Sequence, residues 1–134
     1  MRDANRLLGV VAGSGFLVLG VLGLLAGVGS FGAADDTLLF GLLGGNTLQG
    51  ILHVLLGAAL LIAALSGPAA AATVNSIAGG LMLILGGAGL FLVGSEVNVL
   101  ALTVADNVVH FAASTVLLAA GLGARNPAVA PVNE

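Results

Sequence analysis

The chain contains no cysteine, tryptophan or tyrosine, and only 7% of its 134 residues are charged. Without cysteine there is no disulfide, no thiolate nucleophile and no Cys-ligated metal or cluster, and the redox compartment leaves no mark. The three basic residues are all arginines, Arg2, Arg6 and Arg125, set against six acidic residues for a net charge of −3. No basic patch exists to neutralise phosphates, which excludes nucleic acid as a partner. With no lysine there is no Gly-rich, Lys-bearing phosphate loop. Ser14, Ser66, Ser76 and Ser114 stand in unrelated contexts, none with a nucleophile-elbow sequence. An ordinary soluble domain carries roughly 25% charged residues, so this composition cannot build a water-facing surface.

What is present is apolar: 59% of residues are hydrophobic, and the mean hydropathy is +1.21. The length allows one compact unit that uses the bilayer as its solvent. Four runs, at about 7–29, 48–66, 74–94 and 108–124, reach the ~20 residues that cross a hydrocarbon core. Arg2 and Arg6 before the first run, with Gly32-Ala33-Ala34 after it, imitate a signal peptide. The run exceeds the ~7–15 residues of a signal core, so a retained helix is expected. Gly67-Pro68 closes the second run and Arg125-Asn126-Pro127 the fourth, leaving 125–134 as a polar tail.

The expected fold is all-α, an integral membrane four-helix bundle forming one transmembrane domain. Basic residues near span ends are held on the cytoplasmic side. Arg2, Arg6 and Arg125 therefore place both termini in the cytoplasm, and Asp35, Asp36, Glu96 and Asp106 on the opposite, external side. Gly67 to Ala72 reads as a short, uncharged cytoplasmic turn. The apolar segments Leu38-Leu39-Phe40-Gly41-Leu42-Leu43 and Val97 to Ala105 are too short to span and are expected at the interface or against helix ends. Each half of the chain thus reads as helix, apolar segment, polar residues, and a His-bearing helix. Two hairpins of equal orientation imply a parallel pseudo-repeat about an axis along the membrane normal.

The 22 glycines include Gly9/Gly13 and Gly23/Gly27 in the first run, and Gly86 and Gly89 in the third. Such small-residue spacing lets helices approach closely where lipid supplies no hydrophobic drive. The surface it creates serves either the bundle itself or a neighbouring subunit. With no Trp or Tyr to anchor it at the interface, the chain is suited to positioning by neighbours.

Chemistry has few places to reside. His53 follows Asn46-Thr47-Leu48-Gln49, and His110 follows Asp106-Asn107. Gln49 and His53, like Asp106 and His110, are four apart, which puts each pair on one helix face within hydrogen-bonding range. A carboxylate or amide on one imidazole nitrogen fixes the tautomer and frees the other for ligation or proton transfer. Gly57 and Ser114, four residues on, leave low relief beside each ring. Three readings stay open. Asn46, Thr47, Asp106 and Asn107 cap helices while the histidines bond loop carbonyls; or His53 and His110 ligate a tetrapyrrole or metal; or they relay protons. A catalytic metal commonly needs three protein ligands, so no metal site is assigned, and no ionisable residue sits at mid-membrane as a transporter would require.

Asn5-Arg6-Leu7-Leu8, the stretch from Asn46 to Ala58, and Ala105-Asp106-Asn107-Val108-Val109-His110 resemble the DUF4383 domain family of short bacterial four-helix membrane proteins. The resemblance runs from about Asn5 to Leu122, and its most specific parts are Asp-Asn-x-x-His and Leu-His-x-x-x-Gly. Relatives often carry a His-Asn pair where this chain has Gln49-Gly50. The family's function is unknown, so the resemblance implies the fold and no activity; the expected location is a bacterial inner or photosynthetic membrane. The functional expectation is a non-catalytic accessory or stabilising subunit of a larger membrane complex, in contact with lipid and partner subunits and with no soluble substrate. The alternative is a cofactor-carrying subunit with His53 and His110 as axial ligands of haem or chlorophyll, supported by Gln49 and Asp106.

Overall fold

A computed structural model describes residues 2–27 and 38–123. Four helices, each long and apolar enough to cross a membrane, form the expected bundle: α1 (Arg2–Ala26), α2 (Thr47–Ser66), α3 (Pro68–Leu92) and α4 (Val104–Gly123). Between α1 and α2 lie two short antiparallel strands, β1 (Leu38–Leu39) and β2 (Leu43–Gly44), with Leu39 opposite Leu43. Asp35, Asp36, Arg125, the 125–134 tail, the expected end of the first helix near 29 and the Gly32-Ala33-Ala34 segment lie outside the described residues.

The α2–α3 joint corrects the sequence reading. Pro68 opens α3 rather than ending a turn, and the connection shrinks to Gly67, whose φ of 139° favours glycine. Proline suits the first helical position, where its missing N–H costs nothing, and the four alanines after it are the best helix formers. The third helix therefore begins six residues before the expected 74. The fourth begins at Val104 rather than 108 because Thr103 and Asp106 form a capping box: Thr103 N donates to Asp106 Oδ2 at 2.8 Å, and Asp106 N donates to Thr103 Oγ1 at 3.1 Å. The apolar segment 38–43 is a hairpin whose turn residues, Phe40 and Gly41, both have positive φ (54° and 70°). Its tip, Phe40, is exposed, while Gly44 is buried against the loop before α4. In that loop Asn98 brackets Leu102, donating from Nδ2 to its carbonyl and accepting from its N–H, both at 2.9 Å.

Glycine decides how the first hairpin packs. A Cβ on Gly13 would lie 2.9 Å from Gly57 O, and one on Gly57 would lie 2.7 Å from Gly13 O. Gly20 and Gly50 face each other in the same reciprocal way. The two backbones touch, which gives the dispersion contacts that substitute for hydrophobic drive in lipid. The glycine stripe of α1 is thus an internal surface turned to α2. In the second hairpin Gly79 abuts Leu118, and Gly86 receives the Phe111 ring. Phe16, Leu60, Ala78, Met82 and Leu117 fill the space between the hairpins.

The pseudo-repeat shows in which residues meet across the bundle. Asn75 Nδ2 donates to Asn5 Oδ1 (2.9 Å) and to Asn5 O (3.0 Å), at a sequence separation of 70. At the other end, Gln49 bonds Asp106 at a separation of 57. The neighbouring rings of His53 and His110, and Leu60 and Leu117 of the core, share that second separation. Equivalent positions of the two hairpins face one another, as a two-fold axis along the bundle requires.

Candidate functional site

The polar residues gather at two ends. At the end holding the α1 N-terminus, Asn5 and Asn75 are joined as described, Asn5 Nδ2 donates to Ala120 O (3.0 Å), and Arg6 Nε donates to Ala64 O (2.8 Å). Each of these carbonyls belongs to the last turns of α4 or α2, where the helix leaves acceptors unpaired. This end is a clasp. The sequence reading did not assign it, although an isolated asparagine in an apolar helix was the available signal.

At the opposite end the first turns of α2 and α4 converge on Asp106. Its carboxylate is buried yet fully engaged: Gly44 N (2.9 Å) and Thr103 N (2.8 Å) donate to Oδ2, and Gln49 Nε2 donates to Oδ1 (3.3 Å). Thr103 Oγ1 lies 2.8 Å from Asp106 Oδ2 and 2.9 Å from Leu42 O, and its single proton serves one of them at a time. These donors replace the water the carboxylate gives up. Asn46 caps α2 by accepting from Gln49 N (2.8 Å), and its Nδ2 donates to Val99 O (2.9 Å). Thr47 Oγ1 donates to Gly27 O at 2.5 Å. The capping roles expected of Asn46 and Asp106 are therefore present, whereas Thr47 ties α2 to the end of α1 and Asn107 packs its amide against Gly89.

The within-helix bonds expected for the histidines are not formed. Asp106 turns to its own helix start and to Gln49 rather than to His110, and Gln49 turns to Asp106 rather than to His53. Sharing a helix face permits such a bond but does not select it over donors supplied by a neighbouring segment. Among the described residues no loop carbonyl bonds either ring. Gln49 and Asp106 thus do not orient the imidazoles by hydrogen bonds.

The structure nevertheless brings both rings together. Their centroids are 6.4 Å apart with a 50° tilt, and Phe16 stacks on His53 at 5.5 Å and 28°. His110 is 2% exposed, and its Nδ1, like Gln49 Oε1, has no hydrogen-bond partner. Beside them lies a cavity of about 290 Å³ between α2 and α3, walled by leucines and by Met82, with Gln49, His53 and His110 at its polar end. Among the described residues no group of three or more His, Cys, Asp or Glu side chains could hold a metal ion.

The model of the family described as "Domain of unknown function (DUF4383)" matches residues 6–123, from the first helix through the end of the fourth. The chain belongs to the DUF4383 family. No curated protein and no solved structure matches it. In this DUF4383 chain the two most specific segments of the resemblance, around His53 and around His110, both line the cavity.

Proposed function

We propose that this DUF4383 protein is a non-catalytic accessory subunit that stabilises a larger assembly in a bacterial inner or photosynthetic membrane. One observation carries the proposal. Gly13, Gly20, Gly50 and Gly57 are pressed against backbone inside the bundle, while among the described residues nothing lies within 4 Å of a Cβ built on Gly80 or Gly87 of α3. Seven residues apart, these two lie on one outward face of α3, flanking exposed Ile84. A membrane helix gains from glycine where another helix approaches closely, and none of the four described helices does so there. Asp106 caps α4 and cross-links the bundle rather than bonding either imidazole.

The test is co-purification from native membranes in mild detergent. The parent chain is expected to bring partner subunits with it, and Gly80→Leu with Gly87→Leu to release them while the bundle stays folded. Isolation of the parent as a lone chain from intact membranes would refute the reading.

The alternative, His53 and His110 as axial ligands of haem or chlorophyll, is favoured by the proximity of the rings. The surroundings fit such a group poorly. A cavity of about 290 Å³ falls below the ~300–1,000 Å³ usual for small-molecule sites, and a tetrapyrrole is a large occupant. A visible absorption band in the purified protein decides for that alternative.

A further inference from the structure

The cavity between α2 and α3 has three properties that together specify a ligand. Its mouth faces the bilayer between α2 and α3, where Leu52 and Leu81 are exposed at 43% and 50%; Ile84 marks the edge that it shares with the α3 face offered to a partner. Leu100 and Leu102 of the loop before α4 also line it, so its wall toward that loop is apolar. His53 is the seventh residue of α2, so at 1.5 Å per residue the polar end lies about 9 Å below the helix start. A molecule reaches it sideways from the lipid.

The polar end selects the head group. Asp106 accepts from Gln49 Nε2, and a carboxylate engaged by Gly44 N, Thr103 N and Gln49 is an acceptor only. That fixes the Gln49 amide with Oε1 directed elsewhere, and Oε1 has no partner. An unpaired buried carbonyl oxygen calls for a donor. The imidazoles, neither of them hydrogen-bonded, each offer one donor and one acceptor when neutral. His53 is only partly buried and lines the cavity together with His110 and Gln49. A hydroxyl, which donates once and accepts twice, satisfies this set. A ketone or ether lacks the donor, and an anion would face the Asp106 carboxylate.

We infer that this cavity binds a neutral lipophilic molecule with a hydroxyl on a compact head, a phenol or alcohol taken laterally from the bilayer, held by His53, Gln49 and His110. This goes beyond the accessory role and does not depend on it.

The chain suits a direct test, since it contains no Trp or Tyr and a bound phenol fluoresces over little protein background. Full-length protein in lipid nanodiscs is titrated with para-nonylphenol, para-nonylanisole and nonylbenzene, using empty nanodiscs to subtract partition into lipid. Nonylphenol is expected to bind roughly tenfold more tightly than nonylanisole, the worth of about one hydrogen bond, and to move the ring signals of the two isotope-labelled histidines. His53→Leu should erase the difference between the phenol and the ether. Leu52→Phe, a change at the exposed mouth that spares the core, should weaken all three probes. Equal affinity for the three, or unmoved histidine signals at saturating phenol in a folded protein, would overturn the inference. A tetrapyrrole band in the purified chain would also overturn it, because the macrocycle would claim the same space.

Discussion

Gln49 and Asp106 occupy equivalent places in the two hairpins and bond each other across the bundle, Nε2 to Oδ1 at 3.3 Å, so the first turn of α2 is tied to the first turn of α4. The same carboxylate holds Gly44 and Thr103. One side chain therefore joins both hairpins, the β-hairpin and the start of α4.

Asp106→Leu leaves the Gly44 and Thr103 N–H groups and the Gln49 amide without an acceptor, and is expected to cost about 3 kcal/mol or more. Asp106→Asn keeps an acceptor oxygen and should cost less. Interhelical polar contacts in membranes average only ~0.6 kcal/mol, so Asn75→Ala, which breaks the clasp at the other end, should cost about 1 kcal/mol. Unfolding of each variant in mixed micelles measures the order; a neutral Asp106→Leu would contradict the hub.

The glycines separate two kinds of surface. Gly13→Leu forces a side chain to within 2.9 Å of the Gly57 carbonyl and should disrupt the bundle, whereas Gly15→Leu enters open space and should leave its stability unchanged. Size-exclusion chromatography and thermal denaturation of the two variants provide the comparison. Equal behaviour would mean that α1 does not pack on α2 through this face.

How much of this was legible in the sequence differs from link to link. The four spans were, because length and apolar content suffice; so was the pairing of equivalent hairpins, through the repeated placement of His53 and His110. The start of α3 was missed because Gly67-Pro68 reads equally as the end of one helix and the start of the next, and only tertiary context chooses. The hydrogen bonds were missed for a different reason. Spacing within a helix reports which side chains share a face, but Gln49–Asp106 and Asn5–Asn75 are contacts between helices, set by how the glycine faces dock.

Since His110 bonds neither Asp106 nor a backbone group and its Nδ1 is buried unpaired, His110→Leu should remove an unsatisfied group without orphaning another. Its stability is expected within about 1 kcal/mol of the parent, and no worse than that of His110→Gln. A loss of several kcal/mol in His110→Leu alone would show that the ring has a partner in the membrane.

Orientation follows from Arg2, Arg6 and Arg125. Reporter fusions at either terminus and after Gly67 are expected to read cytoplasmic, and a fusion at Glu96 external. Termini reading external would reverse the bundle and place the cavity's polar end on the cytoplasmic side.

The accessory role is tested most directly by cross-linking in native membranes. A photo-reactive residue is placed at Ile84, between Gly80 and Gly87, and in a parallel sample at Val11 on α1; both positions are exposed, at 69% and 61%. The account predicts a discrete protein adduct of defined mass from position 84 and none from position 11. Lipid adducts alone at position 84, with the chain at its native level, would contradict it.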